Sequence, residues 1–148
     1  MDVPVLSAQF VMEYSFKRSL GPVLSAFFTG LRDGYFVGVR TEDGRVLVPP
    51  CEYDPRTASE LTQLVPVSDC GVVTTYTWVA EPRPKHPLSH PFAFALIKLD
   101  GADTPLLHVV DAVDPDRMHS GMRVRAVWAT ERIGSITDIA SFVPEAES

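Results

Sequence analysis

The second half of the chain contains five short runs rich in β-branched and aromatic residues, and they restrict the possible fold more than any other feature. Such residues favour strands, and turn-forming segments such as Asp100-Gly101-Ala102-Asp103 separate the runs. The gap after the third run, Asp114–Gly121, is long enough for one helical turn. Five short strands interrupted after the third predict a small Greek-key barrel of the OB type. The runs are Gly71–Ala80, Phe92–Leu99, Leu106–Val113, Met122–Ala129 and Ile136–Val143.

One helix is expected before these strands, after an arm over residues 1–17 that shows no clear period. Six large apolar residues recur at helical spacing within Ser19–Asp33 and would form one face. Ser19 is a candidate N-cap, Pro22 fits the first turn, and Gly34 fits the position after the last turn. The six residues are Leu20, Val23, Leu24, Phe27, Phe28 and Leu31.

A hairpin is predicted between the helix and the barrel. Tyr35–Arg40 and Arg45–Val48 flank an Asp43-Gly44 step, which is a strong hairpin signal, and Leu61–Ser68 reads as another extended segment. The expected organisation is therefore an arm and amphipathic helix over residues 1–34, a hairpin region over residues 35–68, and the barrel over residues 69–148. The fold class is mainly β.

Composition excludes several classes of protein. The formal charge of −6 opposes duplex nucleic-acid binding, which depends on Lys and Arg at phosphates. The longest apolar stretches fall short of the ~20 residues that span a bilayer. Two cysteines cannot form a disulfide framework, so a cytoplasmic location is expected.

Four segments, in this order, resemble a known family: Gly44–Pro50, Gly71–Trp78, Pro91–Gly101 and Gly121–Ala126. Together they are similar to the acyl-CoA-associated OB-fold family, long called domain of unknown function number thirty-five. The resemblance covers about residues 18–145. It implies an N-terminal helix, a rubredoxin-like zinc ribbon and an OB barrel.

The ribbon departs from that family. The resemblance places the four zinc-binding cysteines at Arg40, Asp43, Asp54 and Thr57, and none of these is a cysteine. A structural zinc site needs four sulfur or nitrogen ligands, so we predict a degenerate ribbon with no metal and no cofactor. Burial would have to hold it, through packing on the barrel by Tyr35, Val37, Val46 and Val48.

No catalytic residue is assigned. Cys51 or Cys70 could form a dyad with a histidine, but nothing in the sequence brings them together. His108 lies inside a strand-like run and is expected to be structural. The acidic cluster of Asp111, Asp114, Asp116 and His119 lacks the spacing of a cation loop and fits a solvated, capped turn.

The resemblance implies a non-catalytic accessory subunit that binds and stabilises a thiolase-like acyl-CoA enzyme, such as an aldolase of sterol side-chain degradation, and helps form its CoA channel. The apolar face of the helix exceeds what a small barrel can cover, which predicts a partner interface with Phe27 and Phe28 as its main anchors. Arg83, Lys85 and His86 lie in a proline-rich loop and are candidates for CoA-phosphate contacts; the alternative is a stiff polar loop.

A second hypothesis is an OB-fold protein that binds single-stranded nucleic acid. Such domains stack bases on aromatic side chains along a basic groove. Arg123 and Arg125 would supply charge, although the net charge opposes this function. The aromatic candidates are Tyr76, Trp78, Phe92, Phe94 and Trp128.

Overall fold

A computed structural model describes residues 2–146. It contains one α-helix, eight strands and two short 3₁₀ turns. The helix α1 spans Pro22–Asp33 and the turns span Pro115–Arg117 and Ile136–Asp138. The strands are β1 (Phe36–Arg40), β2 (Val46–Leu47), β3 (Gln63–Val67), β4 (Cys70–Val79), β5 (Phe92–Leu99), β6 (Leu106–Val110), β7 (Arg123–Trp128) and β8 (Ile139–Pro144).

The last five strands close into a barrel in the order β4-β5-β6-β8-β7, so the predicted OB-type architecture is confirmed. All neighbours are antiparallel except β6 and β8, which pair in parallel at Val110 and Phe142. The fifth predicted run begins later than expected. Residues from Ile136 form a 3₁₀ turn because Ser135 and Asp138 make a capping box there, and the strand starts at Ile139.

The hairpin of β1 and β2 belongs to a second sheet with the order β2-β1-β3. Gly44 has a φ of 86° in the hairpin turn, a left-handed conformation that glycine adopts without strain. The extended segment expected near residue 64 is β3, which pairs antiparallel along the whole of β1.

Helix α1 begins at Pro22, three residues after the predicted cap Ser19. Its N-terminal N–H groups are satisfied by a distant side chain, because the Glu52 carboxylate accepts hydrogen bonds from Val23 and Leu24, each at 3.1 Å. Gly21 permits this approach, since a Cβ at that position would collide with the Glu52 carboxylate. Pro22 has no N–H to satisfy and suits the first position.

One continuous apolar core joins the helix, the hairpin and the barrel. Phe27 from α1 and Phe36 from β1 enter it, and the Phe36 ring lies 5.0 Å from Trp128 and 6.3 Å from Phe142 of the barrel. Val46 and Val48 are buried in this core and Val37 packs against it, as expected. Tyr35 differs from the expectation: it is 48% exposed, because it lies in the connection between Gly34, the C-cap of α1, and the start of β1.

Candidate protein-binding surface

The apolar stripe of α1 is divided between the interior and the surface. Val23, Phe27 and Leu31 are at most 3% exposed, because the strands of the same chain cover them. Phe27 therefore cannot anchor a partner as predicted; it belongs to the core. Leu24 and Phe28 are half-buried and Leu20 is 42% exposed, so the outward part of the stripe is these three residues.

The loop between β7 and β8 lies beside this outward part. Arg132 Nε donates a hydrogen bond of 2.8 Å to the Arg32 carbonyl at the end of α1, which ties the loop to the helix. Ile133 follows and is 82% exposed. A hollow of about 230 Å³ separates helix and loop, with Leu20, Phe28 and Ile133 on its walls. We call Leu20, Leu24, Phe28 and Ile133 the helix–loop surface.

Asp138 holds the loop in this position. Its buried carboxylate accepts hydrogen bonds from the backbone N–H groups of Ile133, Gly134 and Ser135 at 2.7–3.1 Å. Burial alone would raise the pKa of Asp138, but these hydrogen bonds outweigh it and the pKa is lowered. The loop therefore presents Ile133 on a fixed backbone near neutral pH.

A second apolar depression lies on the barrel wall. It is a half-open groove of about 510 Å³ whose lining includes Phe94, Leu107, His108, Ile136 and Ile139. His108 Nε2 lies 3.4 Å from the Ile136 carbonyl, and burial lowers the pKa of the imidazole. The ring is thus neutral at physiological pH, and the groove suits an apolar occupant.

The basic loop borders one end of this groove through Pro87 and Leu88. Arg83 and Lys85 are exposed. His86 is engaged within the chain: its Nδ1 accepts a hydrogen bond of 3.1 Å from the Arg83 backbone N–H, and its ring meets Phe92 and Phe94 edge-on. The loop therefore offers two free side-chain cations and one histidine that fixes its shape.

Two of the four zinc-ligand positions implied by the resemblance, Asp43 and Asp54, belong to an ion cluster. Arg45 Nε lies 2.9 Å from Asp43 and its Nη2 lies 3.0 Å from Asp54, so one guanidinium links the hairpin turn to the following loop. Arg40 and Thr57 take no part in it. Among residues 2–146, no group of three or more His, Cys, Asp or Glu side chains is arranged to hold a metal ion. The absence of zinc from the folded protein stays a prediction.

The candidate nucleophiles lie in unreactive settings. Burial raises the pKa of both thiols, Cys51 and Cys70, which disfavours the thiolate. The histidine rings contact backbone groups or a carboxylate: His119 Nδ1 is 3.2 Å from the Ser120 carbonyl, and His90 Nε2 is 3.1 Å from Asp111. Asp114 accepts a hydrogen bond from the Asp116 N–H and caps the short turn, as its position in the sequence indicated.

The aromatic residues offered for nucleic-acid stacking are mostly occupied by packing. Phe92 is fully buried, and Trp78 and Trp128 pack against the core. The Tyr76 hydroxyl donates a hydrogen bond to the Met118 carbonyl. Arg123 binds Asp100 with both terminal nitrogens at 2.7 Å, and Glu145 as well, so its charge is already neutralised. This arrangement opposes the single-strand hypothesis.

Sequence reasoning missed Ile133 and Ile136, since neither lies in a helical apolar pattern and both become neighbours of α1 or of the groove only through the fold. It also assigned no role to residues 2–16, every one of which is exposed. The repeated large apolar residues in that arm were the available signal.

The closed five-stranded barrel with its helix and second sheet defines an OB-fold protein. Residues 64–129 match the family described as "ChsH2, C-terminal OB-fold domain". The resemblance to the acyl-CoA-associated OB-fold family that the sequence showed is confirmed. No curated protein matches the chain.

Two of the solved structures that match this chain illustrate the shared fold. One is a protein of unknown function from the DUF35 family of Sulfolobus solfataricus, with 23% identity and a TM-score of 0.60 over 72% of this chain and 78% of that chain. The other is described as the Ltp2-ChsH2(DUF35) aldolase, with 20% identity and a TM-score of 0.62 over 86% of this chain and 98% of that chain. Within the described residues, no helix is long and apolar enough to cross a membrane.

Proposed function

We propose that this protein is a non-catalytic accessory subunit that binds a thiolase-like acyl-CoA enzyme, of the kind that acts as an aldolase in sterol side-chain degradation. The observation that carries the proposal is the exposed apolar helix–loop surface, held by Arg132 and Asp138 on a fold whose histidines and thiols form no catalytic arrangement within residues 2–146. The similarity to the ChsH2 chain of an Ltp2-ChsH2 aldolase supports this choice of partner.

The helix–loop surface has the physical character of a partner interface. When a partner covers apolar side chains that are exposed on a folded monomer, their burial contributes ~25 cal/mol of favourable free energy per Å². Its margin carries the guanidinium of Arg132, which bonds the Arg32 and Ala129 carbonyls rather than a carboxylate. Charges at an interface rim favour opposite charges on the other side. A partner with an apolar patch bordered by acidic residues fits this surface.

We further propose that the basic loop and the adjacent groove help to form the CoA channel of the complex. Arg83 and Lys85 are exposed and can donate hydrogen bonds to phosphate oxygens, while His86 fixes the loop backbone. The uncharged groove beside them can cover an apolar acyl group. Substituting Arg83→Ala together with Lys85→Ala should raise the Kd of the complex for CoA and leave its assembly unchanged; an unchanged Kd would remove the loop from the channel.

The decisive experiment compares two leucines of equal exposure. Leu20 on the helix–loop surface and Leu64 on β3 are each 42% exposed. Both variants, Leu20→Asp and Leu64→Asp, are purified. Their affinities are measured by titration against the thiolase-like enzyme that binds the wild-type chain. Leu20→Asp should weaken binding at least about tenfold, because it places a desolvated carboxylate in the contact area, whereas Leu64→Asp should bind like the wild type.

Two results would contradict the proposed function. If Leu20→Asp binds the enzyme with wild-type affinity, the helix–loop surface is not the interface. If the purified chain alone turns over an acyl-CoA thioester, the protein is itself an enzyme. A cytoplasmic location, expected from the cysteine content, stays a prediction.

A further inference from the structure

In the structure, the arm before helix α1 extends over residues 2–20 and contacts almost nothing else in the chain. It contains neither helix nor strand, all its side chains are exposed, and no hydrogen bond joins it to the rest of residues 2–146. Eight of its large apolar side chains are 60–95% exposed: Val3, Val5, Leu6, Phe10, Val11, Met12, Tyr14 and Phe16. A monomeric protein rarely leaves so much apolar surface in water.

The accessible surface area of the whole chain is also larger than that of a compact monomer of the same mass. It is 10034 Å², whereas a compact monomer of 16.3 kDa exposes about 7,500 Å². The difference of about 2,500 Å² is well above the ~800 Å² that each partner buries in a stable interface. The arm can therefore supply the contact area of a stable complex even if only part of it is covered.

The arm has a pattern that suits an extended segment. Phe10, Met12, Tyr14 and Phe16 are spaced by two residues, so in an extended conformation all four point to one side. Pro4 cannot donate a backbone hydrogen bond, which places any strand pairing after it. Ten residues, Val3–Met12, carry no charge, and Lys17 and Arg18 follow just before Leu20.

We propose that this arm is a docking strand that lies along the same thiolase-like enzyme, extending the helix–loop surface; the inference rests on the proposed function. Continuity supports it, because Leu20 is both the last residue of the arm and a wall of the hollow beside Phe28. The recognised partner feature is an apolar channel for Phe10, Met12, Tyr14 and Phe16, with carboxylates near Lys17 and Arg18.

The test uses the full chain and the thiolase-like enzyme that the wild-type chain binds. The stripe variant carries Phe10→Ser, Met12→Ser, Tyr14→Ser and Phe16→Ser. The control variant carries Val11→Ser, Glu13→Gln and Ser15→Ala, which lie on the other side of an extended arm. The Kd for the enzyme, the Tm of the isolated chain and its molar mass by light scattering are measured for each variant.

The stripe variant should weaken binding by at least about tenfold with an unchanged Tm, and the control should stay within about twofold of the wild type. Wild-type affinity of the stripe variant would overturn the proposal for the arm, while loss of binding by Leu20→Asp in the same assay would leave the proposed function standing. If the stripe variant and Leu20→Asp both bind like the wild type, the proposal for the arm and the proposed function both fall. A lowered Tm places the arm on its own barrel, and a lowered molar mass places it on a second copy; either result also overturns the proposal.

Discussion

The two sides of helix α1 carry the same kinds of residue and have opposite fates. On the inner side, Phe27 and Leu31 are closed off by β1 and the barrel. On the outer side, Phe28 and Leu20, which lies just before the helix, face a hollow whose far wall is a loop, not a strand. Helical periodicity identifies apolar residues that require cover, but the tertiary fold decides whether the same chain supplies it. The comparison predicts that inner residues govern stability and outer residues govern binding.

The largest expected effect separates the inner residue Phe27 from the outer residue Leu20. Phe27→Ala removes a ring that is 1% exposed, so it should lower the free energy of unfolding by about 3–5 kcal/mol. Leu20→Ala should change it by less than about 0.5 kcal/mol, because the side chain is half in water. Urea unfolding of both variants measures the difference, and equal losses would mean that the helix has no distinct inner side.

The next effect concerns the loop that completes the outer surface. Asp138→Asn removes the charge that accepts three backbone hydrogen bonds and should lower both the Tm and the affinity for the partner. The pKa of Asp138 is lowered by folding, so its stabilisation is present above the unfolded value of ~4 and is lost as the pH falls through the folded value. The Tm difference from wild type should therefore be full at pH 7 and shrink in acid.

A matched control for that loop is available in Asp116→Asn. Asp116 is exposed on the turn after β6, and it donates its backbone N–H to Asp114 without using its own carboxylate there. This variant should leave the Tm and the partner affinity at wild-type values. If Asp116→Asn lowered the Tm as much as Asp138→Asn, the loss would come from removing any carboxylate charge and not from the hydrogen bonds of Asp138.

A smaller loss of stability is expected when the N-terminus of helix α1 loses its side-chain hydrogen bonds. Glu52→Gln weakens the hydrogen bonds to the N–H groups of Val23 and Leu24 and removes a charge that favours the positive end of the helix. We expect a loss of about 1 kcal/mol, measured by urea unfolding. Glu60→Gln, on an exposed position of the same loop, is the control and should behave like the wild type.

The smallest effect on stability is expected from Asp43, in the hairpin turn between β1 and β2. Hydrogen bonds from Thr41 and Arg45 lower the pKa of Asp43 to about 2, and the side chain is half exposed, so water weakens the interaction. Because the pKa is lowered, the stabilisation is present above ~4 and disappears as the pH falls toward 2. Thermal melts of wild type and Asp43→Asn should differ slightly at pH 6 and coincide near pH 2; a difference that grows in acid would contradict this assignment.

The local features of the fold were readable from the sequence, and the long-range ones were not. The bounds of β5 coincide with the run Phe92–Leu99 that the sequence predicted, and Asp114 caps its turn because the bond spans two residues. The cap of α1 could not be found, since Glu52 lies 29 positions from Val23. Arg45 and Asp54 meet for the same reason: a side chain nine positions away is brought near only by the folded hairpin.

The candidate surface shows the same limit. The helix supplied three of its residues in advance, because Leu20, Leu24 and Phe28 follow a helical period. Ile133 gave no signal, since its place beside Leu20 depends on Asp138 and on the contact of Arg132 with the helix end. Nothing in the helical pattern distinguished Phe27 from Phe28, because only the packing of β1 and the barrel places one inside and leaves the other at the surface.

The bond between Arg132 and the Arg32 carbonyl joins residues 100 positions apart. A ribosome makes α1 about 100 residues before the loop that flanks it, so the helix–loop surface stays incomplete until both segments have been synthesised. Leu24 and Phe28 are therefore present on the nascent chain before Arg132 exists to fasten Ile133 beside them.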